Sequence, residues 1–327
     1  MFLKTKGAVM SKHSRRSFLK ASGGVLAVGA IGGLTMSCRK APKQVEGKWP
    51  GFDYAMCNES MMDLPFAEQC KIVGDAGYTG IEIAPFTLVK KGVGEISQAQ
   101  RKEMVKAMTD NGLTCAGLHW LLAPPPRGLH FTTPDDALRA KSVGYLNELI
   151  DFCGDLGGKA MIFGSPKQRN TLDISIDEAK KHFADGLAAV ADHAQQRGVQ
   201  VLIEPLDKSQ TDVVNTTAEA MEIVDKIDHP AIQTMFDFHN TVDETLSFEA
   251  IITKYFKFIQ HVHVQEMNGK YLGTGDAATK YVKAFQTLKD LGYNKWVSLE
   301  VFDFTPGGKK IAEESIKVLK EIESRIS

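Results

Sequence analysis

The chain has 327 residues, 24% of them charged, and a formal net charge of −1. This is the composition of a globular protein with a sizeable apolar core, and the balanced charge argues against a nucleic-acid-binding face, which shows as a basic excess. Cys38, Cys57, Cys70, Cys115 and Cys153 form no CxxC pair, so zinc-ribbon and thioredoxin-like sites are excluded on spacing.

Ser14-Arg15-Arg16-Ser17-Phe18-Leu19-Lys20 precedes a Gly/Ala-rich apolar stretch over residues 21–36. A basic start, an apolar middle and small residues at the end are the parts of an export signal. The arginine pair resembles the twin-arginine signal, whose route carries proteins already folded. A metalloenzyme suits such a route, because its ion is acquired before export. Leu34-Thr35-Met36-Ser37-Cys38 resembles a lipoprotein cleavage box, with Cys38 as the lipidated residue. The expected organisation is an export signal over 1–37, a polar tether over 38–50 and a catalytic domain over 51–327. The expected location is the periplasm or the extracytoplasmic membrane face, with a tether through Cys38.

Beyond the tether, short β-rich runs alternate with amphipathic stretches of helical period. Strands are predicted at 52–56, 81–84, 114–118, 160–163, 201–204, 233–236, 261–264 and 297–301. Helices are predicted at 66–76, 98–111, 137–156, 177–197, 217–227, 248–256, 281–291 and 311–322. Ser97, Thr217 and Ser247 read as helix caps, and glycines follow several helix exits. Eight such units fit one α/β domain, a single (β/α)8 TIM barrel. An open doubly wound sheet is disfavoured because Cys57-Asn58-Glu59-Ser60 stands where a Gly-rich phosphate turn belongs. The four cysteines inside this region sit among apolar neighbours and read as buried free thiols. No stretch beyond residue 40 reaches the ~18 consecutive apolar residues of a membrane span.

In a parallel barrel the chemistry sits at the C-terminal strand ends. Strand five ends Leu202-Ile203-Glu204, strand six ends Met235-Phe236-Asp237, strand seven reads His261-Val262-His263, and strand eight ends Ser298-Leu299-Glu300. One carboxylate after an apolar strand is ordinarily half of a salt bridge. Three carboxylates gathered with a histidine around one axis repel each other, and a divalent cation removes that penalty. Glu204, Asp237, His263 and Glu300 are therefore predicted to hold one metal ion; oxygen-rich ligation suits Mn²⁺, Mg²⁺ or Co²⁺. His261 shares the face of His263 one layer deeper and reads as a satisfied core histidine. His119 and His239 are candidate substrate contacts, and Trp120 a candidate wall for a sugar's apolar face, as are Phe86, Phe302 and Phe304. Glu82 ends strand two, and Lys167 follows strand four.

The segments Ile203-Glu204-Pro205-Leu206, Phe236-Asp237-Phe238-His239, His261-Val262-His263 with Gly273-Thr274-Gly275-Asp276, and Leu299-Glu300 resemble the xylose isomerase-like superfamily. The likeness is in particular to sugar isomerases and epimerases of the tagatose/psicose 3-epimerase and hydroxypyruvate isomerase type, and it runs from about Phe52 to the end. The resemblance implies that the positions of Glu204, Asp237, His263 and Glu300 bind one divalent metal and that both glutamates move protons. It departs at three substrate-contacting positions. His239 follows the aspartate by two residues, with Asn240 in the third place. Gly269, with Lys270 next, replaces an arginine, and Gln210 replaces a glutamate. His239, Gln210 and Lys270 are thus the expected substrate-binding residues on those loops. A trinuclear zinc endonuclease of the same superfamily is disfavoured, since Phe163-Gly164-Ser165 and Asn268-Gly269-Lys270 lack its histidines.

The implied function is a metal-dependent sugar isomerase or epimerase, an enzyme that removes a proton next to a carbonyl through a metal-stabilised enediolate. Two alternatives stay open: β-elimination on 3-keto-glycosides, and a non-catalytic sugar-binding lipoprotein. A small sugar is the expected partner. The sequence leaves the oligomeric state open.

Overall fold

The computed structural model describes residues 49–327; the export signal, Cys38 and most of the tether lie outside the described residues. Eight parallel strands alternate with helices in the order β1 (Asp53–Cys57), α1 (Phe66–Ala76), β2 (Gly80–Ile83), α2 (Gln98–Asp110), β3 (Thr114–Leu118), α3 (Asp136–Asp155), β4 (Ala160–Phe163) and α4 (Ile176–Arg197). The second half runs β5 (Gln200–Ile203), α5 (Thr217–Ile227), β6 (Ile232–Asp237), α6 (Phe248–Tyr255), β7 (Ile259–Val264), α7 (Ala277–Lys280), α8 (Val282–Asp290), β8 (Trp296–Leu299) and α9 (Gly308–Ser324). Each strand pairs with its sequence neighbour, and β8 returns to β1, closing the barrel. The fold is the predicted (β/α)8 barrel.

Local chemistry explains the element ends. Ser97 begins α2 with a reciprocal capping box to Gln100, and Gly77 and Gly198 end α1 and α4 in the left-handed conformation. Two expectations need correction. The cap of α5 is Thr216, whose side chain accepts from the Glu219 N–H, because the helix starts one residue later, at Thr217. After β7 there are two helices where one was expected: the predicted 281–291 helix is α8, and the short α7 precedes it, with the Tyr281 hydroxyl at their junction donating to the Gln265 carbonyl (2.8 Å). Cys57, Cys70, Cys115 and Cys153 are buried free thiols, as expected. Among the described residues, no helix is long and apolar enough to cross a membrane.

The barrel interior is built in layers by the period of two along each strand. Ala160, Ile162, Leu202 and Met235 form one buried apolar cluster. Two residues beyond Leu202 and Met235 stand Glu204 and Asp237. His261 and Ser298, 2.9 Å apart, make the corresponding layer on β7 and β8, and His263 and Glu300 stand two residues beyond them. Asp237 pairs with His263, and His263 pairs with Ser298, two residues before Glu300.

Candidate metal and active site

Glu204, Asp237, His263 and Glu300 bring one ligand atom each into a cluster in which all lie within 4.8 Å of one another. All four side chains are buried. Gly164, at the end of β4, leaves the space that Glu204 occupies: a Cβ there would stand 2.2 Å from Glu204 Oε2.

The donors are held by a surrounding hydrogen-bond frame. His263 Nε2 lies 3.0 Å from Glu82 Oε1, so the imidazole donates there and turns Nδ1 toward Glu300 Oε2 (3.1 Å) and Glu204 Oε1 (3.7 Å). Nδ1 is buried and has no hydrogen-bond partner among the described residues. In that tautomer a nitrogen lone pair faces carboxylate lone pairs, an arrangement that only a cation or an added proton relieves. Asn240 Nδ2 donates to Asp237 Oδ2 (2.7 Å) and Glu204 Oε1 (3.2 Å), the His239 N–H donates to Asp237 Oδ1 (2.8 Å), and Trp120 Nε1 donates to Glu300 Oε1 (3.0 Å).

Electrostatics point the same way. Burial, followed by the Glu204 charge, drives the Asp237 carboxyl well above the usual carboxylate range, with His263 opposing. Burial alone disfavours a charged His263, yet Glu82 and Glu300 outweigh it and hold the imidazole well above its ordinary value. Burial also opposes ionisation of Glu82, but His261 and His263 overcome it and keep that carboxyl well below its ordinary range. The donor set fits a divalent ion: a dense, buried group of oxygens with one imidazole nitrogen presented to them.

A family sequence model described as xylose isomerase-like TIM barrel matches residues 70–322. The chain belongs to the xylose isomerase-like TIM barrel family. Curated relatives include a probable ketose 3-epimerase of Synechocystis sp., 25% identical over 60% of this chain and 74% of the relative. A D-psicose 3-epimerase of Agrobacterium fabrum is 25% identical over 74% of this chain and 80% of its own. Among solved structures, 3-keto-D-glucoside 4-epimerase from E. coli superposes with a TM-score of 0.70 at 18% identity, covering 82% of this chain and 99% of its own. D-psicose 3-epimerase crystallised in the presence of D-fructose gives 0.68 at 19% identity, over 84% and 95%.

In this member of the family, the other predicted site residues divide. Trp120 and Gln210 line a cavity together with Glu204 and Glu300; Gln210 donates to Asn240 Oδ1 (2.7 Å) and Asp207 Oδ2 (2.5 Å). That cavity is closed to about 10 Å³, room for about one water. His239 does not line it: its Nδ1 lies against the Met267 carbonyl (3.0 Å), and its ring is 5.3 Å from that of Phe302, which does. His119 turns inward: Nε2 meets Glu59 Oε2 at 2.8 Å and Nδ1 lies 3.4 Å from Glu82 Oε1. Burial disfavours its charge, but Glu59 and then Glu82 raise its pKa to about 9. His119 thus stands between two buried carboxylates, its Nδ1 without a hydrogen-bond partner among the described residues, and it does not line the cavity. Lys270 is exposed and does not line the cavity. His261 is fully buried, its Nε2 2.7 Å from Glu82 Oε2.

Sequence reasoning missed the parts played by Glu59, Glu82 and Asn240. Glu82 carried the same signal as the donors, a carboxylate inside an apolar strand. Glu59 lies on a single 3-10 turn after β1, where an acid draws no notice. The buried cation after β4 is Arg169, which donates to the carbonyls of Phe163 and Val214, whereas Lys167 is exposed.

Proposed function

We propose that the protein is a metal-dependent sugar epimerase or isomerase. The observation that carries the reading is the convergence of four buried donors from four consecutive strand ends, with the free nitrogen of His263 turned into them. The curated relatives, ketose and psicose 3-epimerases, support the substrate class. Glu204, Asp237, His263 and Glu300 would hold one divalent ion, with Mn²⁺, Mg²⁺ and Co²⁺ the best suited to this donor set. A bound divalent ion supplies Lewis-acid stabilisation of the negative charge that develops when a proton leaves the carbon beside a carbonyl.

The chain's own residues do the rest. Glu204 and Glu300 reach the site from β5 and β8, separated around the ring, so they flank a bound sugar. One accepts the proton and the other returns one. Glu82 fixes the His263 tautomer, and Asn240 orients Asp237 and Glu204 together. A sugar is far larger than the present cavity, so Trp120 must swing off Glu300 to admit it. Elimination from a 3-keto-glycoside starts with the same proton removal and is separated by its product.

The test is deuterium exchange. Incubated in D₂O with ketoses and keto-glycosides, metal-loaded protein takes deuterium into the carbon beside the carbonyl; chelation abolishes the uptake, and Mn²⁺ or Co²⁺ restores it better than Zn²⁺. Tight sugar binding with no exchange on any carbonyl sugar makes the barrel a receptor instead. We also propose export through the leader: Arg15→Lys together with Arg16→Lys traps the precursor inside the cell, and Cys38→Ala frees it from membranes. Normal accumulation outside by the first variant, or unchanged membrane association of the second, counts against that route or that anchor.

A further inference from the structure

A second opening lies beside the candidate site. It is a groove of about 640 Å³ between the turn after β1 and the start of α9, lined among others by Glu59, Ser60, Asp63, Phe304, Lys309 and Lys310. That volume lies inside the ~300–1,000 Å³ range of small-ligand sites. Glu59 lines the groove, Glu300 lines the donor cavity, and ligand atoms of Glu59, His119 and Glu300 all lie within 4.8 Å of one another.

The chemistry of the lining selects the occupant. Glu59 is 3% exposed; its Oε2 meets His119, and its Oε1 has no hydrogen-bond partner among the described residues. Ser60 Oγ is likewise buried without one. A carboxylate oxygen can only accept, so it calls for a ligand that donates, as a hydroxyl does and a phosphate dianion does not. Charge gives the same answer. Glu59, Asp63 and Glu313 outnumber Lys309 and Lys310, and Lys309 is 3.8 Å from Glu313. The backbone start of α9, capped by no side chain, would welcome an anion taken alone. The acids around it favour a neutral polyol. Phe304 adds an aromatic face of the kind that packs on the apolar side of a sugar ring.

We propose that this groove holds the second ring of a glycoside whose carbonyl-bearing ring lies over the four donors. The substrate class is then a keto-glycoside of two rings and not a free ketose. This rests on the epimerase or isomerase reading above.

The experiment compares three substrates of metal-loaded protein: a 3-keto-glucose, its methyl glycoside, and a disaccharide with the same keto ring. Deuterium exchange in D₂O gives kcat/KM for each. The disaccharide should exceed the methyl glycoside by about tenfold or more, a gain worth about 1.4 kcal/mol. Phe304→Ala and Asp63→Ala should shrink that ratio toward one. Equal kcat/KM for the two glycosides, or an equal loss on both in the variants, overturns the groove and leaves the epimerase reading standing. Preference for a 6-phosphate of the keto sugar over the disaccharide also overturns it, in favour of anion binding at α9. Calorimetric binding of the same compounds to metal-loaded Glu300→Gln protein separates the two readings. If nothing exchanges deuterium but the disaccharide still binds more tightly, and Phe304→Ala removes that difference, the groove stands and the epimerase reading falls. Equal binding of both glycosides sinks the groove on its own.

Discussion

The two halves of the barrel use their strand ends differently. From β5 through β8 every strand end gives one donor to the cluster: Glu204, Asp237, His263 and Glu300. From β1 through β4 the strand ends give the frame: Glu59 and Glu82 brace His119 and His263, and Gly164 clears room for Glu204. The second half converges on one point, and the first half keeps that convergence aimed. A buried histidine whose tautomer is not fixed would be a poor ligand, so under the proposed function the strand that supplies Glu82 matters to a cluster to which it gives no member.

This division can be broken by substitution. Asp237→Ala removes a donor and should lower metal affinity by more than ~100-fold, beyond the usual cost of losing an outer partner. Elemental analysis after dialysis and a chelator competition titration measure this; full metal retention places the ion elsewhere. Glu82→Gln keeps the shape of the first half but weakens its hold on His263. It should cost ~10–100-fold in affinity or activity, with the fold intact by circular dichroism. A loss as large as that of Asp237→Ala would make Glu82 a donor and erase the distinction between the halves; no loss would make the frame ornamental.

The same division explains what the sequence disclosed. An ionisable residue closing an apolar run is visible one strand at a time, and β5 to β8 each carry that signal, so the convergence of these four side chains and the barrel were legible together. Strand bounds fell within a few residues because strand periodicity and helix exits at glycines are local. The frame was not legible, because it depends on closure. Glu82 and His263 are 181 positions apart and meet only when β2 and β7 face across the barrel axis. The inward turn of His119 depends on Glu59, a loop acid whose role no local pattern announces. His119 and Lys270 were expected at the substrate; in the structure neither lines the cavity, His119 lying against Glu59 and Glu82 and Lys270 exposed.

The central claim is that Glu204 and Glu300 flank one carbonyl sugar and carry its proton. It is tested most directly by Glu204→Gln and Glu300→Gln, each with its metal content confirmed, in single-turnover deuterium exchange on the identified substrate. The account predicts that each variant loses ~10²–10⁴-fold in turnover, the usual contribution of a general acid or base. It also predicts that one variant still exchanges the substrate C–H with D₂O without inverting it, while the other exchanges nothing. Wild-type turnover in both metal-loaded variants would contradict it.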